Sequence, residues 1–495
     1  MRLFHDMLEA NSNITIMKSS RRHSTELNNT GISLERIHFI NGADEKFSVQ
    51  SRMFIDATYE GDLMAAAGVD FRVGRESHNE HNESLAPVVA DGQVQGYNFR
   101  LTMTNRAANR VWPQQPDNYN REFYLELLPL IASGQIEKPF HITTLGSNKK
   151  AIYKAHDPVL PNGKFDINDM SRGNVRLSLP QFNNDWPEGD ADTRGELFDL
   201  HVKHNIGMLY FFQNDEAVPE QFRQQAREWG FCRDEFVDSR HLPVQLYVRE
   251  ARRMVGMTVF TQQNTSAHSP TSVRAILAPD AIAQGDYGPN CHGTGHDGPL
   301  FGGQHTGEFY LKVAPYQIPY GTIVPRKINN LLVPVAVSSS HVGFCALRLE
   351  PIWISLGEAA GTAAHLALQK NRPVQNVSVV DIRRLLHRSG CATIYVSDVP
   401  RSSPDFERVQ WWGSLGGWHG VSQREDEYGQ RGPHFRGQYY EAFSGHAAEL
   451  QKALDTTLAK KWRNLAADYD LEIDSTKMKS ARTRGDFLRA VTMPN

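Results

Sequence analysis

The chain lacks several features, and each absence removes a class of protein. No apolar run approaches the ~18 residues needed to cross a bilayer, so no membrane segment is expected. Neither sign of charge is in excess: 53 Lys and Arg stand against 56 Asp and Glu, a formal net charge of −3. That balance gives no argument for nucleic acid or an anionic membrane as partner. Cysteine is scarce. Cys232, Cys291, Cys345 and Cys391 are dozens of residues apart, so no metal-knuckle spacing appears. Each reads more readily as a small buried hydrophobe than as a nucleophile. The amino-terminal MRLFHDMLEANSN has no basic start, long apolar middle or small-residue cleavage site. It is not a signal peptide, and a reducing, cytoplasmic setting is expected unless an export signal lies upstream. No strand, glycine loop and helix open the chain.

What is present suffices for real cores. Hydrophobic residues make up 40% and aromatics 10% of 495 residues, which predicts two or three domains. MRLFHDMLEA reads as a short helix. NITIMKS, ISLERIHFI and FSVQSRMFI read as strands, with a turn at Asn41-Gly42. FIDATYEGD, followed by LMAAAG, reads as a strand, a tight turn and a helix. Turns of this kind hold nucleotides, because helix N-termini attract anions. This one carries Glu60 and Asp62, which repel phosphate. From residue 96 to 264, apolar positions recur at three and four in EFYLELLPLIASG, GELFDLHVKHNIGMLYFF and PEQFRQQAREWGF, as in amphipathic helices. This region is expected to be an inserted domain. Residues 287–307 read as a glycine-rich loop, 329–341 as a buried strand and 350–369 as a helix with Pro351 in its first turn. The texture changes after about residue 386, where WWGSLGGWHG and a helical tail follow.

Several motifs carry two readings. The G-x-G-x-x-G at 293–298 has neither a strand before it nor a helix after it, which a dinucleotide fingerprint requires. In the 350–369 helix, Gly357, Ala359, Ala360, Gly361, Ala363 and Ala364 form a small-residue surface. Glycine costs a helix up to ~1 kcal/mol, so something approaches closely: another helix or a sheet, or a flat cofactor edge. His292, His296, His305 and His341 do not make a metal set, because HGTGH is not helical. His341 ends the expected strand, where ligands bind in open α/β sheets; it is either an acid or base or a hydrogen-bonded structural histidine. YVREARRMVG is expected as a helix with Arg249, Arg252 and Arg253 at three and four spacing. These recognise an anion or make ion pairs. Trp411, Trp412 and Trp418 stack on sugar rings or fill a small core.

FIDATYEGDLMAAAGVDFRVGRES and NNLLVPVAVSSSHVGFCALRLEPIWISLGEAAGTAAHLA closely resemble the FAD-dependent oxidoreductase family whose members are sometimes labelled xanthan-lyase-like. LPVQLYVREARRMVG and APYQIPYGTIVP are similar to its middle blocks, and the likeness spans roughly residues 50 to 370. The resemblance implies an α/β fold: a Rossmann-like, glutathione-reductase-type FAD-binding domain built from residues 1–95 and 265–385, a substrate or cap domain of α+β type at 96–264, and an extension at 386–495. It places Ala57, Thr58 and Gly61 beside the dinucleotide, with Asp62 capping the next helix. Arg348, Glu350, Pro351 and Gly357 lie near the flavin, and His341 on its reactive side. The family opens with a glycine loop that is not found here. The chain is therefore expected to be N-terminally truncated, with weak or absent FAD binding and an exposed sheet edge on LLVPVAV.

The leading expectation is hydride transfer from a small polar, sugar-derived substrate to FAD. His341 would be the base, with His292 second, and Arg249, Arg253 and Tyr247 would hold the substrate. One alternative is a cofactor-free remnant that acts as a binding protein. Another is a polysaccharide lyase using Tyr, His and Arg without flavin.

Overall fold

The computed structural model describes residues 2–117, 119–143, 148–157, 159–421 and 445–493. After helix Arg2–Glu9, an antiparallel meander runs through Ser20–Leu27, Leu34–Asn41 and Lys46–Gln50. Alternation sets its register: Phe39 sits opposite Phe47, and their rings stack at 5.4 Å. The strand expected at 13–19 is not formed. The eight residues of Leu34–Asn41 are already paired with 20–27, and Ile14 and Met17 are left exposed with nothing to bury against.

The meander feeds Phe54–Ile55, which pairs in parallel with Leu331–Leu332. Phe54 N–H donates to Asn330 O and Asp56 N–H to Leu332 O, both at 2.9 Å. Among the described residues no strand pairs with the other edge of Phe54–Ile55. A small core of Leu34, Ile37, Phe54, Met64, Leu331 and Ala336 closes over this unit.

The middle of the chain holds a six-stranded sheet as well as the expected helices. Its order is Arg110–Val111, Gly230–Cys232, Leu101–Thr104, Phe165–Asp169, Ala151–Ala155 and Lys138–Ile142. The last pair is parallel and the others antiparallel. Phe222, Ala226 and Trp229 are buried, as the helical spacing predicts, and Trp229 stacks on Phe140 at 4.6 Å. Two further cores follow. One surrounds helix Glu350–Lys370 through Leu356, Ala359, Ala360 and Ala363. The other is C-terminal, where Trp412, Trp418 and Trp462 pack edge to face. Trp412 and Trp418 are therefore core residues. No helix of the described residues is long and apolar enough to cross a membrane.

Three sequence expectations are corrected. Residues 287–307 are not a loop but contain the hairpin Asn290–Asp297 and Gln304–Tyr310. Gly293 (φ +95°) lies within its bulge between His292 and Gly295, so the glycines serve pairing. Residues 247–256 are extended, not helical. Their backbone bonds run sideways, Tyr247 N–H to Asn98 O and Met254 N–H to Ala336 O, so Arg249, Arg252 and Arg253 do not line one helix face. Finally, the 329–341 strand ends at Leu332. His341 opens helix His341–Leu347 instead, with the Ser340 hydroxyl accepting from Gly343 N–H at 2.9 Å. A Cβ at Gly343 would strike the Phe260 carbonyl, so only glycine lets this helix start so close to its neighbour.

Candidate functional site

The turn after Phe54–Ile55 is held from within. Asp56 accepts from Thr58 N–H (3.0 Å), from the Thr58 hydroxyl (2.7 Å) and from Met64 N–H (2.7 Å). Thr58 Oγ1 in turn accepts from Asp62 N–H. The capping duties thus fall to Asp56 and Thr58, and Asp62 makes no cap. Asp62 receives Arg194 from Nη1 and Nη2 at 2.8 and 2.9 Å and Arg252 at 2.8 Å. Burial would raise its carboxyl, but these two guanidinium groups outweigh it and lower the pKa. Glu60 accepts from Trp186 Nε1 at 3.0 Å. Gly61 (φ +67°) has no room for a Cβ between Met64 and Ala336, which is a packing demand.

This turn meets the start of helix Glu350–Lys370. The Tyr59 ring sits edge-on to Trp353 at 5.0 Å, and burial and the nearby Glu350 charge raise its hydroxyl pKa. Ala57, Thr58, Glu350 and Pro351 are exposed here. A Cβ on Gly357 or Gly361 would meet nothing within 4 Å. Among the described residues no helix or sheet makes the close approach expected there.

Beside it, three guanidinium groups surround the Tyr247 ring: Arg249 at 4.8 Å, Arg100 at 5.3 Å and Arg348 at 6.0 Å from its centroid. Arg100 is paired with Asp166. Arg249 and Arg348 are each 1% exposed. Among the described residues they bond neutral acceptors alone: Gly96 O, Asn98 and Asn168 for Arg249, the Tyr247 hydroxyl (2.9 Å) and Asn290 O (3.0 Å) for Arg348. Burial pushes Arg249 down to about 10, and it pushes the nearby Lys154 down to about 8. His292 is buried, and its Nδ1 has no hydrogen bond. Burial first, then the charges of Arg249, Arg348 and Lys154, hold it neutral.

Arg253 differs from Arg249. Its guanidinium is wholly buried against Glu76 (2.8 Å), Glu250 (3.0 Å), Ser339 O (2.8 Å) and Gly74 O. It orders the segment beneath the site, its charge already matched by two carboxylates. Glu250 also holds His341 Nδ1 at 2.9 Å through both oxygens. Burial opposes the imidazolium, but Glu250 outweighs it and raises His341 to about 10. The sequence nominated His341 as a base; Glu250 occupies its Nδ1, so Nε2 is the nitrogen left for chemistry. The ligand-type atoms of Cys291, His341 and Cys345 lie within 4.8 Å of one another. The sequence reading passed over this cluster, although the His341/Cys345 spacing of four was visible.

Comparison with curated proteins and with solved structures finds no match. The sequence model for "FAD dependent oxidoreductase" matches residues 1–386. The match takes in the DAT turn, the arginine and tyrosine cluster and the helix that borders both. The chain belongs to the FAD dependent oxidoreductase family, in which a flavin is the cofactor.

Proposed function

We propose that the protein is an FAD-dependent oxidoreductase acting on a small polar substrate that carries an anionic group. The observation that carries this reading is the pair Arg249 and Arg348, buried without a carboxylate partner among the described residues. A buried charge is costly unless it is paired, and a bound anion would complete the balance. Supporting the fold reading are the parallel pair Phe54–Ile55 and Leu331–Leu332 and the meander before it. In this reading residues 1–95 and 265–385 form the glutathione-reductase-type flavin unit, 96–264 the substrate-binding insertion and 386–495 an extension.

The residues present fit one edge of a flavin. Ala57 and Thr58 are exposed beside the uncapped start of a 21-residue helix, and the space over Gly357 and Gly361 is open. Ala57, Thr58, Glu350, Pro351 and Gly357 would hold that edge, with the helix dipole favouring negative charge there. When bound, the flavin supplies a two-electron acceptor. The chain's own residues do the rest. Arg249 and Arg348 bind the anionic group, and Tyr247, held by the Arg348 hydrogen bond, orients it. His292 Nδ1 takes the proton from the substrate hydroxyl or amine. An anion between Arg249 and Arg348 offsets the charges that depress His292, so substrate binding itself raises its basicity.

A test is to reconstitute the chain with FAD, record the flavin absorbance and screen hydroxy and amino acids against their uncharged analogues for anaerobic bleaching. Arg348→Met should lower kcat/KM for the charged substrates by ~30–150-fold, the ~2–3 kcal/mol of a charge-assisted hydrogen bond. It should leave uncharged analogues nearly unaffected. A chain that stays colourless would sink the reading. It would favour a second one, a cofactor-free binding protein, supported by the edge of Phe54–Ile55 that no strand among the described residues pairs with.

A further inference from the structure

Cys291 lies on strand Asn290–Asp297, while His341 and Cys345 are four apart on the facing helix His341–Leu347. That spacing puts both on one face of the helix. All three are buried, at 3%, 1% and 0% exposure. Their ligand-type atoms fall within 4.8 Å of each other. His341 Nδ1 is taken by Glu250, which leaves Nε2 for the sulfurs; Nε2 is buried and makes no hydrogen bond. Phe309 closes the imidazole edge-on at 5.9 Å.

We infer that Cys291, His341 and Cys345 form a binding site for one thiophilic divalent cation of the zinc class. Two thiolates and an imidazole are soft and borderline donors, which select such ions over calcium or magnesium. Three protein ligands leave a fourth position open. The support around the site is what a metal-bound histidine requires. Its second nitrogen is fixed by a carboxylate, and that carboxylate is fixed by Arg253 at 3.0 Å and by Gln95 at 3.4 Å. Two thiolates neutralise the ion, so the complex adds no net charge to a buried region. A disulfide between the two cysteines would use the sulfurs but would leave Nε2 without a partner. The site does not depend on the flavin.

Because the cluster is buried, loading accompanies folding. Refolding the full chain with one equivalent of Co²⁺ should give thiolate-to-cobalt charge-transfer absorption with tetrahedral ligand-field bands. Zn²⁺ should displace them and raise the unfolding temperature. Cys291→Ser, Cys345→Ser and His341→Asn should each lose the bands, while Cys391→Ser should keep them. Glu250→Gln should weaken Zn²⁺ binding ~10–100-fold, the usual cost of losing such a support. As a check that needs no variant, Cys291 and Cys345 should be alkylated more slowly during unfolding in chain refolded with Zn²⁺ than in chain refolded without it. The inference is overturned if no cobalt–thiolate band forms at one equivalent, if the bands survive in both cysteine variants, or if non-reducing peptide mapping finds Cys291 and Cys345 joined in the freshly purified chain.

Discussion

Replacing Arg253 by methionine tests whether this residue is a buried electrostatic hub. Arg253 is 0% exposed, and its partners Glu76 and Glu250 are nearly as deeply buried. Methionine keeps most of the volume and removes the charge. Among the described residues Glu76 would retain the His341 N–H (2.8 Å) and Glu250 mainly the His341 imidazole. The carbonyls of Gly74 and Ser339 would lose a donor. Breaking a buried pair by removing one partner costs about 3–5 kcal/mol, a large share of the ~5–15 kcal/mol that keeps a protein folded. Urea denaturation followed by tryptophan fluorescence and circular dichroism reads this directly. Adding Glu76→Gln removes one of the stranded charges. The double variant should therefore be more stable than the sum of the single effects predicts, by about 1–3 kcal/mol of coupling. If Arg253→Met costs under ~1 kcal/mol, or if the two effects simply add, the unpaired-charge argument is wrong. A substrate-binding role would instead leave the denaturation curve in place and lower kcat/KM.

Two further outcomes are expected. Trp462→Ala removes the centre of the C-terminal core and the bond from its Nε1 to Gly417 O; it should cost about 3–5 kcal/mol and open residues 394–421 and 445–491 to cleavage in limited proteolysis. His201 and His204 are buried and pushed down from 6.5 to about 4 by burial, so the folded state resists a proton that the unfolded chain accepts. Their contribution is intact above pH 6.5 and is lost as pH falls towards 4, by about 2 kcal/mol for each histidine at pH 5; a urea midpoint that does not move between pH 7.5 and 5 would refute it.

Parts of the fold were legible because local and tertiary signals agree. Helix Glu350–Lys370 has an apolar face, Pro351 in its first turn and a left-handed Asn371 at its end. The meander shows alternation and an Asn41-Gly42 turn. The six-stranded sheet was hidden because its strands are two to five residues long. Their partners are also remote in sequence: Leu101–Thr104 pairs with Phe165–Asp169 and with Gly230–Cys232. Stretches that short carry no reliable period. The hairpin at 290–310 was read as a loop because glycine usually weakens a strand, whereas here it accommodates a bulge.

The arginines and the acidic turn show why the site was only half legible. Spacing of three and four in RxxRR is the same whether the backbone coils or runs extended, and only the bonds to Asn98 and Ala336 decide between them. Once the chain is extended, Arg249 and Arg253 turn to different surroundings. Among the described residues Arg253 meets two carboxylates, and Arg249 meets none. The same side chain is thus charge-matched in one case and, on the proposed reading, left for an anion in the other. The acidic turn follows the same logic in reverse. Its carboxylates argued against phosphate only so long as they were counted as free charges. Asp62 is neutralised by Arg194 and Arg252 and Glu60 is tied to Trp186, so the turn is anchored to residues 186–252 and presents little repulsion to an anion nearby. Charge read along a sequence gives the number of ionic groups; which of them still act on a ligand is set by the partners that folding brings to each one.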